Sequence, residues 1–307
     1  RDDWNIATDF VAKIAGILEQ PALRVQTPLL ARLFDRTEKA SSFGARLAYT
    51  LLETAPALIE RLGPEGAEEV WQCAFAMAGD NPENAVALLL KSPETTERLQ
   101  RRVNGTRTGN IYRTGRKLSA VSSQVALRFI DASVQLAQRL DDDGLSQIAD
   151  MARDLAALSR TAAVTFLNIA PSVLDKSGMD GLTKISALGI DTARQNWETA
   201  DRLLLKSPDL IDRIGIDGVK MIGEFASVLA RESSSVAVGL LDKCPSIIDG
   251  LLKLGDTSLI AKVCHLGGRI VKYNARMALS LLNRSPEIIK WSGFEGLETI
   301  EELAHRT

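Results

Sequence analysis

Residues Lys206–Gly218 read KSPDLIDRIGIDG. Serine meets proline, a short amphipathic run follows, and Asp217-Gly218 closes the stretch before a new apolar-periodic segment begins. The same punctuation recurs along the chain. With proline as the marker, it stands at Pro56, Pro93, Pro171, Pro208, Pro245 and Pro286, with Val134 in the one remaining slot, at successive spacings of 37, 41, 37, 37, 37 and 41 residues. Six of the ten prolines therefore occupy one position of one unit, and internal repetition becomes the first fact to explain.

Other columns share the period. Eight residues before each marker stands alanine: Ala48, Ala85, Ala126, Ala163, Ala200, Ala237 and Ala278. Four before it stands an aliphatic: Leu52, Leu89, Ile130, Leu167, Leu204, Leu241 and Leu282. Ten after it stands glycine in six of seven units, Gly66, Gly144, Gly181, Gly218, Gly255 and Gly296. Nineteen before the next marker only small residues occur: Ala74, Gly115, Ala152, Gly189, Ala226 and Gly267.

Apolar spacing of three and four residues predicts a first helix over Trp197–Leu205. In Ser207-Pro208-Asp209 the serine suits an N-cap, the proline a first helical turn and the acid the positive end of the dipole, which predicts a second, short helix to about Ile214. A break at Gly215 and a third, longer helix from Asp217-Gly218 to about Arg231 complete the unit. The all-small column predicts close approach between neighbouring units, because one unit alone cannot bury its apolar face whereas a stack makes a continuous core. The fold expected is all-α: a right-handed α-solenoid of about seven and a half units of 37 to 41 residues, starting near 41, 82, 123, 160, 197, 234 and 275. Residues 1–40 follow the pattern loosely through Pro21 and Ile14–Leu18, with Lys13 in the alanine column, and read as a degenerate capping unit.

Composition agrees with this reading. Hydrophobic residues make up 45%, charged residues 25% and aromatics only 5%, the profile of an Ala- and Leu-rich helical protein. A formal net charge of -2 leaves no overall bias toward nucleic acid or an anionic membrane, so any such binding must be local. Three widely spaced cysteines (Cys73, Cys244, Cys264) with no CxxC point to reduced thiols and a cytoplasmic setting. No apolar run approaches the roughly 18 residues of a membrane span. The chain opens on Arg1 and reads as a piece of a longer protein.

The SPxLIxRxGxxG core and its stacked helices of about 40 residues resemble the HEAT and armadillo class of α-solenoids over residues 41–307. The same wording resembles the helical repeat region of von Willebrand factor A proteins that partner MoxR-type ATPases. That resemblance implies a protein partner, either an ATPase or an attached domain, although the chain carries no DxSxS metal-adhesion run.

Catalytic motifs are scarce. His265 and His305 are the only histidines, and Cys264 and His265 point about 100° apart on a helix, a poor geometry for shared metal ligation. Aligning Asp141-Asp142-Asp143-Gly144 with a calcium loop puts Arg139 at the first ligand position, so it reads as an acidic helix start. No P-loop or GxGxxG occurs, and no metal or cofactor is expected. A ladder of basic residues five after the marker (Arg61, Arg98, Arg139, Lys176, Arg213), often with an acid beside it (Glu60, Glu97, Asp175, Asp212), is expected to make ion pairs between units.

The units after Pro93 and Pro245 each carry four extra residues between the short and long helices. In the first, Arg98–Lys117 reads RLQRRVNGTRTGNIYRTGRK, with seven basic residues and no acid. Arg98, Arg101, Arg102, Arg107, Arg113, Arg116 and Lys117 around Tyr112, in a loop interrupting a rigid stack, are the candidate site for an anionic partner. The expected function is a non-enzymatic protein-binding scaffold or regulatory domain; the alternatives are polyanion or nucleic-acid binding through 98–117, and an enzyme with a charged site in the solenoid groove.

Overall fold

The computed structural model describes residues 27–256 and 258–304; the calls on Lys13, Ile14–Leu18, Pro21 and His305 lie outside them. Helices dominate and no strand occurs among the described residues. The chain forms two compact bodies, Arg1–Arg153 and Asp154–Thr307. The first contains α1 (Thr27–Ser41), α2 (Ala45–Ala78), α3 (Pro82–Gln100), α4 (Gly105–Ser119), α5 (Ser123–Leu136) and most of α6 (Asp142–Ala156). The second contains α7 (Arg160–Gln195), α8 (Trp197–Glu232), α9 (Ser234–Leu252), α10 (Ser258–Val271) and α11 (Ala275–Ala304).

The sequence period resolves into helix pairs, not triplets. Each marker proline lies inside a helix, and no helix starts at the Ser-Pro step. The serine is not a cap: Ser92, Ser133 and Ser207 donate their hydroxyls to the carbonyls of Leu88, Phe129 and Leu203 in the preceding turn, at 2.6, 2.8 and 2.8 Å. Back-bonding of this kind satisfies the side chain within the helix and competes with the capping role. The caps stand twelve residues before the marker, where the side chains of Asn81, Ser122, Ser159 and Asn196 accept from Glu83, Val125, Ala162 and Thr199 N–H groups.

The two helices of a pair meet at a corner. In α2, α7, α8 and α11 it is a single glycine seven after the marker, Gly63, Gly178, Gly215 and Gly293, with φ between 64 and 70°. With ψ near 180° this conformation belongs essentially to glycine alone. Three residues later the helical glycine makes room for the corner: a Cβ added at Gly218 would lie 2.7 Å from Ile214 Cβ, and one at Gly66 2.6 Å from Leu62 Cβ. In the two longer units the corner opens into a short connection, after Gln100 and after Leu252, where the sequence places the extra residues.

The repeated columns are the core. Every alanine and aliphatic of the two columns before the marker is at most 2% exposed. Burial of one such leucine stabilises the fold by about 1.5–3 kcal/mol. The small column is where the second helix of one pair receives the first helix of the next. A methyl at Gly115 would lie 2.8 Å from Ile130 Cδ1, one at Gly189 3.0 Å from Leu204 Cδ2, and one at Gly267 3.2 Å from Leu282 Cδ2. In each case the small residue faces the aliphatic column of the following unit, the close approach that its composition implies.

Candidate functional site

The basic segment is a helix for most of its length, and the loop expected there shrinks to residues 101–104. Asn104 caps α4 by accepting from Arg107 N–H at 2.9 Å. The helix turns Ile111, Tyr112 and Leu118 inward. Tyr112 is fully buried, its hydroxyl 3.2 Å from Thr96 Oγ1, and burial pushes the phenol up to about 12. It is a core residue and presents no ring to a ligand.

The cations around Tyr112 are matched to acids on the flanking helices. Arg113 pairs with Glu69 of α2 at 2.8 Å, which raises its already high pKa further, and Arg116 donates to Gln72 and lies 3.9 Å from Glu69. On the opposite side Arg107 pairs with Asp142 of α6 at 2.7 Å and donates to the carbonyl of Leu140, while Asn110 donates to Asp142 at 2.8 Å. Arg101 pairs with Glu97 one turn earlier. Arg98 and Lys117 are exposed. A basic helix thus lies between an acidic stretch of α2 and the acidic start of α6, where Asp141 caps the helix by accepting from Gly144 N–H at 2.8 Å.

The basic ladder also pairs between successive units. Arg61 lies 3.0 Å from Glu97 and donates to the carbonyl of Pro93; Lys176 donates to the carbonyl of Pro208 at 2.9 Å and pairs with Asp212; Arg213 pairs with Asp249. Arg98 does not take this role. Arg102 does, donating to the carbonyl of Val134 across the same 32-residue separation, because the four extra residues move the register by about one helical turn. The ladder's last place is held by Trp291, 86% exposed.

Burial raises the thiols of Cys73 and Cys244 far above the ordinary range and that of Cys264 to about 12, so all three are protonated and poor nucleophiles in this fold. Among the described residues no group of three or more His, Cys, Asp and Glu side chains could hold a metal ion, and no helix is long and apolar enough to cross a membrane.

A groove of about 700 Å³ that sequence reasoning missed runs between the second halves of α7 and α8. Its floor is Ala187, Leu188 and Val228, and its walls carry Lys184, Asp191 and Arg194 facing Asp217, Lys220, Glu224 and Arg231. Most of its ion pairs lie within one helix: Lys184 with Asp180 at 2.9 Å, Arg194 with Asp191 at 3.0 Å, and Lys220 with Glu224 at 3.8 Å. Arg231, donating to Gln195 at 3.2 Å, and the Thr192–Ser227 hydroxyl pair at 2.8 Å join the two helices beside the groove. The available signal was the polar face of each long helix, visible as charges three and four residues apart. Nothing in the sequence showed that the two faces adjoin.

No family model matches the chain, and neither the curated proteins nor the solved structures contain a significant match.

Proposed function

We propose that this chain is a non-enzymatic helical-repeat scaffold or regulatory domain, built as a right-handed α-solenoid of the HEAT and armadillo kind, that binds a protein partner along the polar faces of its second helices. The observation that carries the reading is the groove between α7 and α8, which combines an apolar floor with charged walls of both signs. An apolar floor supplies contact area, and flanking charges of both signs supply register and selectivity against a peptide or helix of complementary pattern. The partner implied by the sequence resemblance is an ATPase of the MoxR type or an attached domain, in a cytoplasmic setting. The reading of 98–117 as one polyanion-binding segment is weaker, because Arg101, Arg107 and Arg113 each pair with a carboxylate of the chain itself.

The test is affinity capture with the whole chain and with an Ala187→Arg/Val228→Arg variant, both positions being exposed in the groove. The expected result is a partner retained by the wild type and lost from the variant, with unchanged circular dichroism. A partner retained equally by both would remove the groove from the account.

A further inference from the structure

Of the basic segment's side chains, Arg116 reaches a second concave surface, in the N-terminal body. A pocket of about 450 Å³ is lined by Arg36 and Lys39 of α1, Phe43 of the α1–α2 connection, Gln72, Phe75 and Ala76 of α2, and Arg116 of α4. Three cations from two separate helices therefore face one space, and no carboxylate is among its lining residues.

The nearest acids are bonded to the lining side chains. Glu68 lies 2.9 Å from Arg36 and accepts from Gln72 at 2.8 Å, while Gln72 in turn accepts from Arg116. Glu69 stands 3.9 Å from Arg116 but gives its closer contact, 2.8 Å, to Arg113. The two guanidinium groups are thus tied into one hydrogen-bonded chain, Arg36–Glu68–Gln72–Arg116, which fixes them before any ligand arrives. Asp35, 3.3 Å from Arg36, is the remaining acid on that arginine. Lys39 pairs with no carboxylate among the described residues; its ammonium sits 5.2 Å from the centroid of the Phe75 ring.

The other wall is aromatic. Phe43 and Phe75 are stacked, with centroids 6.4 Å apart and planes 14° from parallel. The guanidinium of Arg116, fixed through Gln72, keeps donors that match the oxygens of a phosphate. An aromatic wall beside them rewards a ligand whose charged group is joined to a flat apolar one. We propose that this pocket binds an aryl phosphate monoester, with the phosphate on Lys39 and Arg116 and the ring against Phe43 and Phe75, while Arg36, held by Glu68 and Asp35, forms part of the wall. The same group occurs on a tyrosine-phosphorylated protein and on free small aryl phosphates. This site is separate from the α7–α8 groove, so either can fail without the other.

The experiment is a calorimetric titration of the whole chain with phenyl phosphate, with inorganic phosphate as the comparison. Saturable phenyl phosphate binding is expected, weakened about tenfold or more by Lys39→Met and by Arg116→Met, each of which removes a charge-assisted contact. Phe43→Ala should weaken phenyl phosphate and leave inorganic phosphate unchanged. Lys117→Met, which alters an exposed cation outside the pocket, should change neither. Should Arg116→Met fail to fold, Arg116→Lys keeps the charge without the planar fork and is expected to lose affinity as well. A phosphotyrosyl peptide that binds more tightly than phenyl phosphate identifies a protein source; a peptide that binds no more tightly, or is excluded, identifies a small molecule. Absence of saturable binding overturns the proposal, as does an affinity that Lys39→Met leaves unchanged or that Lys117→Met lowers equally.

Discussion

Helix α4 and the α7–α8 groove are both rich in charge and pair it differently. Arg107 and Arg113 of α4 reach acids on neighbouring helices, Asp142 and Glu69. Along the groove, Lys184, Arg194 and Lys220 pair within their own helices. Pairing across helices ties the cations of α4 to the helices on either side. Pairing within a helix satisfies the same charges without linking the neighbouring helix through them. The number of basic residues in a segment therefore says less about binding than where their counter-charges sit.

The comparison can be broken most readily at Tyr112. If α4 is a structural helix, Tyr112→Ala opens a large cavity and lowers stability by about 3–5 kcal/mol in chemical denaturation; a ligand-stacking tyrosine would leave the midpoint unchanged. Its phenol adds a pH test. Burial lifts it from 10.0 to about 12. The folded state therefore holds this proton more tightly than the unfolded one, and the associated stability is full below pH 10 and lost as the pH rises toward 12. That part of the alkaline slope should vanish in Tyr112→Phe.

The corner glycine comes next. Gly215→Ala places a side chain at φ 67° and ψ 178°, and should cost about 1–3 kcal/mol. An unchanged melting temperature would mean that the pair does not turn there. Loss of the cap in Asn196→Ala should cost about 1 kcal/mol, whereas Ser207→Ala, at the Ser-Pro step, removes no cap and should cost less. Equal losses would restore the three-helix reading. The smallest expected effect is the coupling between Arg113 and Glu69, below about 1 kcal/mol in a double-mutant cycle and reduced by salt, because Arg113 is half-exposed. Zero coupling at low salt would remove the cross-helix pairing from the account.

Much of the fold was legible because burial at a fixed period imprints composition. The alanine column, the aliphatic column and the small column could each be read directly, and each is in the core or at a close helix contact. The Ser-Pro step misled because serine, proline and aspartate in that order have the chemistry of a helix start. In the fold the serine bonds backward within a continuing helix, which local sequence does not signal. The true capping column was hidden by its variety, since Asn81, Ser122, Ser159 and Asn196 share a role and not a residue type. The site was least legible. Glu69 lies 44 residues from Arg113 and Asp142 lies 35 from Arg107, separations at which the local sequence carries no sign of the pairing.

The most direct measurement places a photo-crosslinking amino acid, p-benzoylphenylalanine, in the whole chain at position 228 or at position 113, in the presence of the partner retained by affinity capture. A crosslink from position 228 and none from position 113 is the expected outcome, because the groove is open and the α4 face is committed to Glu69. A crosslink from position 113 with none from position 228 would contradict it and return the binding surface to the basic helix.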